Sequence, residues 1–149
     1  MTDTTLTHRQ SVSAMYDAFG RGDVDAILSH LSEQITWDVT DEPWTPHGAG
    51  VPWLAPRRGH REVAEFFAIV STWNYERFEV LDMLVSDTQV AAEIRMTAKL
   101  PSGAHIDEEV IHLWTFNPDG KVIRLRRMLD TAANIDAANL AAELCTSPV

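Results

Sequence analysis

The 149-residue sequence contains a single cysteine, Cys145, which excludes an internal disulfide and a cysteine-rich zinc centre. It also lacks any apolar run that approaches the ~20 residues needed to span a bilayer. The first ten residues, MTDTTLTHRQ, are polar and do not contain the apolar stretch of a signal peptide. We therefore expect a soluble, cytoplasmic protein.

Positive charge is scarce in this chain. Twelve Lys and Arg residues stand against 22 Asp and Glu residues, which gives a formal net charge of −10. Phosphates and anionic lipid headgroups are repelled by such a protein, so we expect neither a nucleic-acid partner nor a membrane partner. The six histidines show no pair spaced for ligation on one helix, and no phosphate-binding or dinucleotide-binding glycine motif is present. The sequence thus predicts no metal site and no cofactor.

The first half of the chain reads as helices followed by a strand. Residues 1–6 predict a loose tail, and Asp23 is placed to cap a second helix. Apolar side chains recur between these points at helical spacing: Val12, Met15, Tyr16 and Phe19. Alternation then predicts a strand with Ile35, Trp37 and Val39 on one face and Asp38 on the other.

Residues 41–59 form a long connection with four prolines and three glycines. Connections of this length are uncommon in compact domains unless they are lids or binding segments. Trp44, His47 and Trp53 lie in this one. We predict that Trp44 and Trp53 cover the mouth of a pocket, although packing of the loop onto its own domain explains them equally well.

The second half of the chain reads as strands near residues 75–85, 89–100, 104–117 and 121–129, followed by a helix over 131–144. Asn117-Pro118-Asp119-Gly120 is typical of a hairpin turn, and Asp130 of a helix cap. Helices first and a strand meander afterwards predict a single α+β domain spanning residues 1–149. We expect a cone-shaped, curved antiparallel sheet that wraps around the N-terminal helices and leaves a conical pocket.

Five short features in this order resemble the nuclear-transport-factor-2-like superfamily, and within it the SnoaL-like and ketosteroid-isomerase-like group. They are Met15-Tyr16 on the first helix, Gly22-Asp23, Arg58-Gly59-His60, Asp119-Gly120-Lys121 and Asp130-Thr131. The resemblance covers about residues 8–140. It implies an apolar pocket in an α+β cone and a homodimer formed through the outer sheet face. Members include isomerases, epoxide hydrolases, polyketide cyclases and proteins without catalysis, so fold alone does not fix function.

Alignment with this group assigns positions to the familiar catalytic residues. It places the isomerases' oxyanion tyrosine at Met15, their general base at Val39 and their protonated acid at His112. Two of these three groups are therefore lost, and classic steroid isomerisation is not expected. The last-strand carboxylate of the hydrolases and cyclases falls near Arg126 or Arg127, so those mechanisms cannot be carried over either.

His112 and Arg127 are the strongest candidates for chemistry. His112 shares a strand face with Val110 and Trp114, where a desolvated imidazole would transfer a proton near neutral pH. A core histidine bonded to a carboxylate is the alternative. Arg127 is predicted to anchor an oxyanion or to pair with a carboxylate. The candidate partners are Asp38, Glu93 and Glu108.

The sequence predicts that the protein binds a small, largely hydrophobic molecule. One hypothesis adds cofactor-free acid/base catalysis of the isomerase, cyclase or hydratase type, with His112, Arg127 and Asp38 as catalytic residues. The alternative is a non-catalytic ligand-binding or dimeric protein-interaction domain. The predicted ligand contacts are Tyr16, Trp37, Trp44, Trp53, Phe67, Glu93, Val110, Trp114, Leu125 and Leu129.

Overall fold

The computed structural model describes residues 2–39 and 50–146, with side chains described for residues 4–39 and 50–139. Its elements, in chain order, are α1 (Thr2–Gly20), α2 (Val24–Leu28), β1 (Leu31–Trp37), a 3-10 turn (Pro52–Leu54), β2 (Arg57–Arg58), α3 (Gly59–Val70), β3 (Asn74–Val85), β4 (Gln89–Lys99), β5 (His105–Phe116), β6 (Val122–Met128) and α4 (Thr131–Thr146). Within these ranges, no helix is long and apolar enough to cross a membrane.

The strands form one six-stranded sheet in the order β2-β1-β6-β5-β4-β3. Strands β3 to β6 make an antiparallel meander, as their hairpin turns predict. Irregularities in the pairing of β3 with β4 bend the sheet, because a bulge increases the local twist. The predicted α+β fold is confirmed, with one correction: β1 runs parallel to β6. No hairpin joins these two strands, so no turn forces them to be antiparallel.

Turns and helix caps follow the sequence signals closely. The side-chain Oδ1 of Asn117 accepts the N–H groups of Asp119 and Lys121, each at 3.0 Å, and closes the β5–β6 turn. Asp23 Oδ1 accepts a helix N–H at 3.1 Å at the start of α2, and Asp130 does the same for α4 at 3.0 Å. Both predicted Asp caps are therefore confirmed.

Two local predictions are wrong. Residues 2–6 belong to α1 rather than to a loose tail, because no proline or glycine interrupts the helix there and the next turn is held by His8, which stacks on Phe116 at 4.0 Å. The predicted 41–59 loop is also too long. Its second part contains the 3-10 turn and β2, which pairs with β1 through Arg57 and Arg58. Residues 40–49, with Trp44 and His47, lie outside the described residues.

The core lies between the concave sheet face and helices α1 to α3. Met15 of α1, Ile35 of β1, Ile94 of β4 and Leu125 of β6 are almost completely buried there. The alternation of strand residues explains this arrangement, since every second side chain of a strand faces the helices. Towards α4 the packing opens into a cavity.

Candidate functional site

The cavity lies between the inner sheet face and helices α1, α3 and α4. About 750 Å³ of empty space, counting the part open to solvent, separates its walls, and little of that space is wide. Ten aromatic side chains line it: Tyr16, Phe19, Trp37, Trp53, Phe66, Phe67, Trp73, Tyr75, Phe78 and Trp114.

A polar cluster stands on this aromatic wall where α1 faces β5. The hydroxyl of Tyr16 is hydrogen bonded to Nδ1 of His112 at 2.8 Å. The indole N–H of Trp114 donates to the same hydroxyl oxygen at 3.0 Å. His112 and Trp114 are two positions apart on β5 and so face the same side, while helical spacing points Tyr16 towards them.

Burial keeps this cluster neutral. Desolvation, helped by the nearby positive charge of Arg127, lowers the pKa of His112 to about 3. Burial also raises the pKa of the Tyr16 hydroxyl above its ordinary value, and the hydrogen bond from Trp114 opposes this rise. At neutral pH the pair is therefore an uncharged imidazole and an uncharged phenol.

Counting protons shows what the Tyr16–His112 pair can offer. The phenol and the neutral imidazole carry one acidic proton each, and only one of these lies in the bond between them. The other proton remains, either on Nε2 of His112 or on the Tyr16 hydroxyl, whichever tautomer is present. Both residues line the cavity. The pair therefore offers one neutral hydrogen-bond donor to an acceptor oxygen. Proton transfer by a charged imidazole near neutral pH, expected from the sequence, does not fit the lowered pKa.

Arg127 lies in the wall next to this pair, directly across from His112 in the β5–β6 ladder. Its contacts hold it in place. Its Nε donates to Oδ2 of Asp38 at 2.7 Å, and its backbone N–H donates to Oδ1 at 2.9 Å. A second guanidinium nitrogen donates to the carbonyl of Trp53, and the group lies 4.7 Å from the ring centroid of Phe66. Arg127 is thus paired, and its charge is fixed in place.

Asp38 reaches Arg127 through an unusual backbone conformation. The sequence places it on the strand face opposite Trp37, away from the pocket. In the structure β1 ends at Trp37, and Asp38 adopts a positive φ of 56°. This left-handed position turns the carboxylate towards β6. Asp38 itself does not belong to the cavity wall; it acts on the wall through Arg127.

A second polar cluster lies at the α4 end of the cavity. Oε2 of Glu108 accepts the side-chain N–H of Asn134 at 2.9 Å and the backbone N–H of Asp130 at 3.2 Å. The Asn134 side-chain oxygen accepts the indole N–H of Trp53 at 2.8 Å. Glu108 and Asn134 line the cavity, although only 6% and 1% of their surfaces are exposed. Burial raises the pKa of Glu108, and these hydrogen bonds and Arg127 oppose that rise.

The structure brings most of the predicted site residues together. Ten of them line the cavity: Tyr16, Trp37, Trp53, Phe67, Val110, His112, Trp114, Leu125, Arg127 and Leu129. Their roles in binding or catalysis stay predictions. Glu93 is misplaced: it pairs with Ile111 on the outer face of the sheet and is exposed, because its neighbour Ile94 takes the inward position. Trp44 lies outside the described residues.

Tyr16 lies one position after Met15, the residue that the alignment assigns to the isomerases' tyrosine. Both side chains line the cavity, and the hydroxyl that meets His112 belongs to Tyr16.

The sequence analysis did not predict several residues of the cavity wall, notably Glu108, Asn134, Phe66 and Trp73. A signal exists for Glu108, because it shares the strand face of Val110 and His112 by simple alternation. The sequence offers none for Asn134, whose part in the wall depends on how α4 docks. In the part of the chain that the structure describes, no group of three or more His, Cys, Asp or Glu residues is arranged to hold a metal ion.

Comparison with known proteins agrees with this architecture. A sequence profile of the SnoaL-like domain matches residues 12–125. An NTF2-like protein from Burkholderia xenovorans LB400 superposes with a TM-score of 0.74 at 23% identity, covering 91% of this chain and 98% of that one. TerC, co-crystallised with polyporic acid, superposes with a TM-score of 0.72 at 21% identity, covering 89% of this chain and 98% of that one. A candidate polyketide cyclase from Xanthomonas campestris pv. campestris superposes with a TM-score of 0.66 at 20% identity, covering 91% of this chain and 98% of that one. No curated protein matches the sequence.

Proposed function

The chain belongs to the SnoaL-like domain family, and we propose that its cavity binds a slender, largely apolar molecule through a carbonyl oxygen. The observation that carries this proposal is the neutral Tyr16–His112 pair on an aromatic wall, whose second proton has no partner among the described residues. A carbonyl oxygen is the simplest acceptor for that proton. The buried indole N–H of Trp37, which has no hydrogen-bond partner among the described residues, adds a second unpaired donor to the wall.

The shape of the cavity supports a flat or rod-like ligand. Because little of its empty space is wide, bulky three-dimensional ligands would have to displace wall residues. The wall rings, such as Trp37, Trp114, Trp53 and Trp73, would offer a flat aromatic ligand further ring contacts. The family neighbour that was co-crystallised with polyporic acid is consistent with this class of ligand.

Cofactor-free isomerisation or cyclisation is a second candidate function. A bound ketone that passes a proton from the carbon next to its carbonyl to solvent water becomes an enolate, and a fixed neutral donor beside the Arg127 charge would stabilise the enolate oxygen. Candidate polyketide cyclases among the structural neighbours support the same reaction class. This function is tested by using NMR to monitor the exchange with D2O of the protons next to the carbonyl of a bound ketone. Binding without exchange would favour the non-catalytic alternative.

We propose a second copy of the chain as the protein partner, as the family resemblance implies. The outer sheet face keeps Leu84 and Met128 exposed, and Leu84 exposes 70% of its surface. Burial of these side chains between two copies would remove apolar surface from water. Analytical ultracentrifugation tests this idea. A dimer that dissociates in Leu84→Arg supports it, and a monomeric wild type contradicts it.

Ligand binding is tested with a matched pair of probes. 4-Acetylbiphenyl is a slender aromatic ketone, and 4-isopropylbiphenyl has nearly the same shape without the oxygen. Four tryptophans line the cavity, so quenching of tryptophan fluorescence reports binding. We expect the ketone to bind several-fold more tightly, in line with about 1 kcal/mol for a neutral hydrogen bond. Equal affinities, or no saturable binding of either probe, would contradict the proposal.

A pair of variants completes this test. The double variant Tyr16→Phe/His112→Leu should remove the preference for the ketone, because neither the phenol proton nor the imidazole proton remains. His105→Leu, on β5 but exposed, serves as the control and should keep the preference. A preference that survives in the double variant would show that the carbonyl binds elsewhere.

A further inference from the structure

Glu108 and His112 lie on the same face of β5, and both line the cavity. They are four positions apart, which places their Cα atoms roughly 13 Å apart along the strand. The two polar positions are therefore too far apart to act on one carbonyl group. They are well placed for the two ends of one elongated molecule.

The carboxylate of Glu108 has acceptor capacity to spare. A carboxylate offers about four lone-pair positions on two oxygens. Within the part of the chain that the structure describes, the two hydrogen bonds to this group both go to Oε2, from Asp130 and Asn134. A buried carboxylate gains when a further donor reaches it, because a charge removed from water is stabilised only by the hydrogen bonds around it.

Asn134 fixes the direction of this carboxylate. Its side-chain N–H group donates to Glu108 and to the carbonyl of Asp130, while its oxygen accepts from Trp53. Both N–H donors and one of the two oxygen lone pairs of the amide are thus occupied by protein atoms. Asn134 is accordingly a positioning residue, and Glu108 is the group left to meet a ligand.

From this arrangement we propose that Glu108 binds a hydrogen-bond donor, such as a hydroxyl group, at the end of the ligand opposite its carbonyl. The ligand class becomes a rod-like aromatic or conjugated molecule with a carbonyl oxygen at one end and a hydroxyl at the other. A terminal carboxylate or sulfate is disfavoured at the hydroxyl end, because it would face a buried carboxylate. This inference rests on the proposed binding of a carbonyl at Tyr16 and His112.

A third probe tests the inference. 4-Acetyl-4′-hydroxybiphenyl differs from 4-acetylbiphenyl only by a hydroxyl at the far end of the rod. Wild-type protein should bind the hydroxylated ketone at least about tenfold more tightly, as expected for a hydrogen bond to a buried charged group. In Glu108→Ala this preference should disappear, while the affinity for 4-acetylbiphenyl changes little.

Two further variants separate recognition from folding. Glu109→Ala removes a neighbouring carboxylate that faces outward on the same strand, and it should keep the preference. Because Glu108 also holds the start of α4, Glu108→Ala is able to destabilise the fold. Glu108→Gln keeps an acceptor for Asp130 but loses the charge, and it should reduce the preference several-fold in a folded protein. A merely structural role would change the affinity for both ketones alike.

The outcomes distinguish the two proposals. A hydroxyl preference in the wild type that Glu108 variants lose and Glu109→Ala keeps supports the inference. Equal binding of both ketones to the wild type, or a preference that persists in Glu108→Gln and Glu108→Ala, overturns it and leaves the carbonyl site intact. If neither ketone binds, the proposed function fails and the inference fails with it.

Discussion

Asp38 holds the guanidinium of Arg127 from a left-handed backbone position, and this pair fixes the wall behind the Tyr16–His112 hydrogen bond. The side chains of Asp38 and Arg127 are only 14% and 9% exposed, so water screens them weakly. Each charge needs the other, because a buried ion without its partner is costly. The pair therefore stabilises the structure next to the candidate site.

Replacing Asp38 should destabilise the protein strongly. In Asp38→Ala, Arg127 loses its charged partner and the alanine has to adopt a positive φ, so the free energy of unfolding should fall by roughly 3 kcal/mol or more. Asp38→Asn keeps an acceptor oxygen and tolerates the left-handed backbone, so its loss should be smaller. Urea denaturation measures both, and a loss below about 1 kcal/mol in Asp38→Ala would show that the pair contributes little.

His112 should make the protein less stable in acid. Its folded pKa, about 3, lies below the ordinary value of 6.5, so the unfolded chain binds the proton first as pH falls. This contribution to stability is complete above about pH 6.5 and is lost towards pH 3, at roughly 1.4 kcal/mol per pH unit. The free energy of unfolding of the wild type relative to that of His112→Leu, measured by urea denaturation, should fall as the pH is lowered across this window. The exposed His105→Leu should follow the wild type, and a His112 NMR signal that titrates near pH 6.5 would contradict the account.

The two tyrosines should resist ionisation together. Tyr16 and Tyr75 are the only tyrosines in the sequence, and burial raises the pKa of both. A phenol with a raised folded pKa adds stability that is complete below the unfolded value of about 10 and is lost as pH rises further. Absorbance at the phenolate band should therefore stay low in the folded protein near pH 10 and appear with unfolding. Phenolate formation before any loss of folded structure would contradict the burial of these hydroxyls.

Gly59 should resist substitution at the start of α3. Its φ is +79°, and an added Cβ would lie 3.7 Å from the carbonyl oxygen of Glu33. Gly59→Ala should therefore lower the free energy of unfolding by about 1–2 kcal/mol through backbone strain. Gly20→Ala is the matched control, since its surroundings are open and its backbone is helical. It should be neutral or stabilising, and equal losses in both variants would exclude strain as the cause.

The fold could be predicted from the sequence because each of its signals is local. The Asn117–Gly120 turn, the Asp130 cap and the alternation along β5 each depend on neighbours in the chain, and the structure agrees with all three. The parallel pairing of β1 with β6 depends instead on contacts between distant segments, which local patterns do not encode.

The candidate site was predictable only where it lies on regular strands. His112 and Arg127 follow from alternation. Asp38 was one of three candidate partners for Arg127, and the sequence did not show which of the three pairs with it or that Tyr16 meets His112. Asp38 reaches Arg127 through one residue with positive φ, and Tyr16 reaches His112 through the packing angle of α1. Both depend on tertiary geometry that a pattern of residue types leaves open.

The infrared spectrum of bound 4-acetylbiphenyl tests the central claim most directly. A carbonyl that accepts a hydrogen bond from the Tyr16–His112 pair should show its C=O stretch at lower wavenumber than in an aprotic solvent. In the double variant Tyr16→Phe/His112→Leu the band should move back, and in His105→Leu it should stay shifted. A bound ketone whose band lies at the aprotic position in the wild type, or whose shift is unchanged in the double variant, would contradict the proposal that this pair binds a carbonyl oxygen.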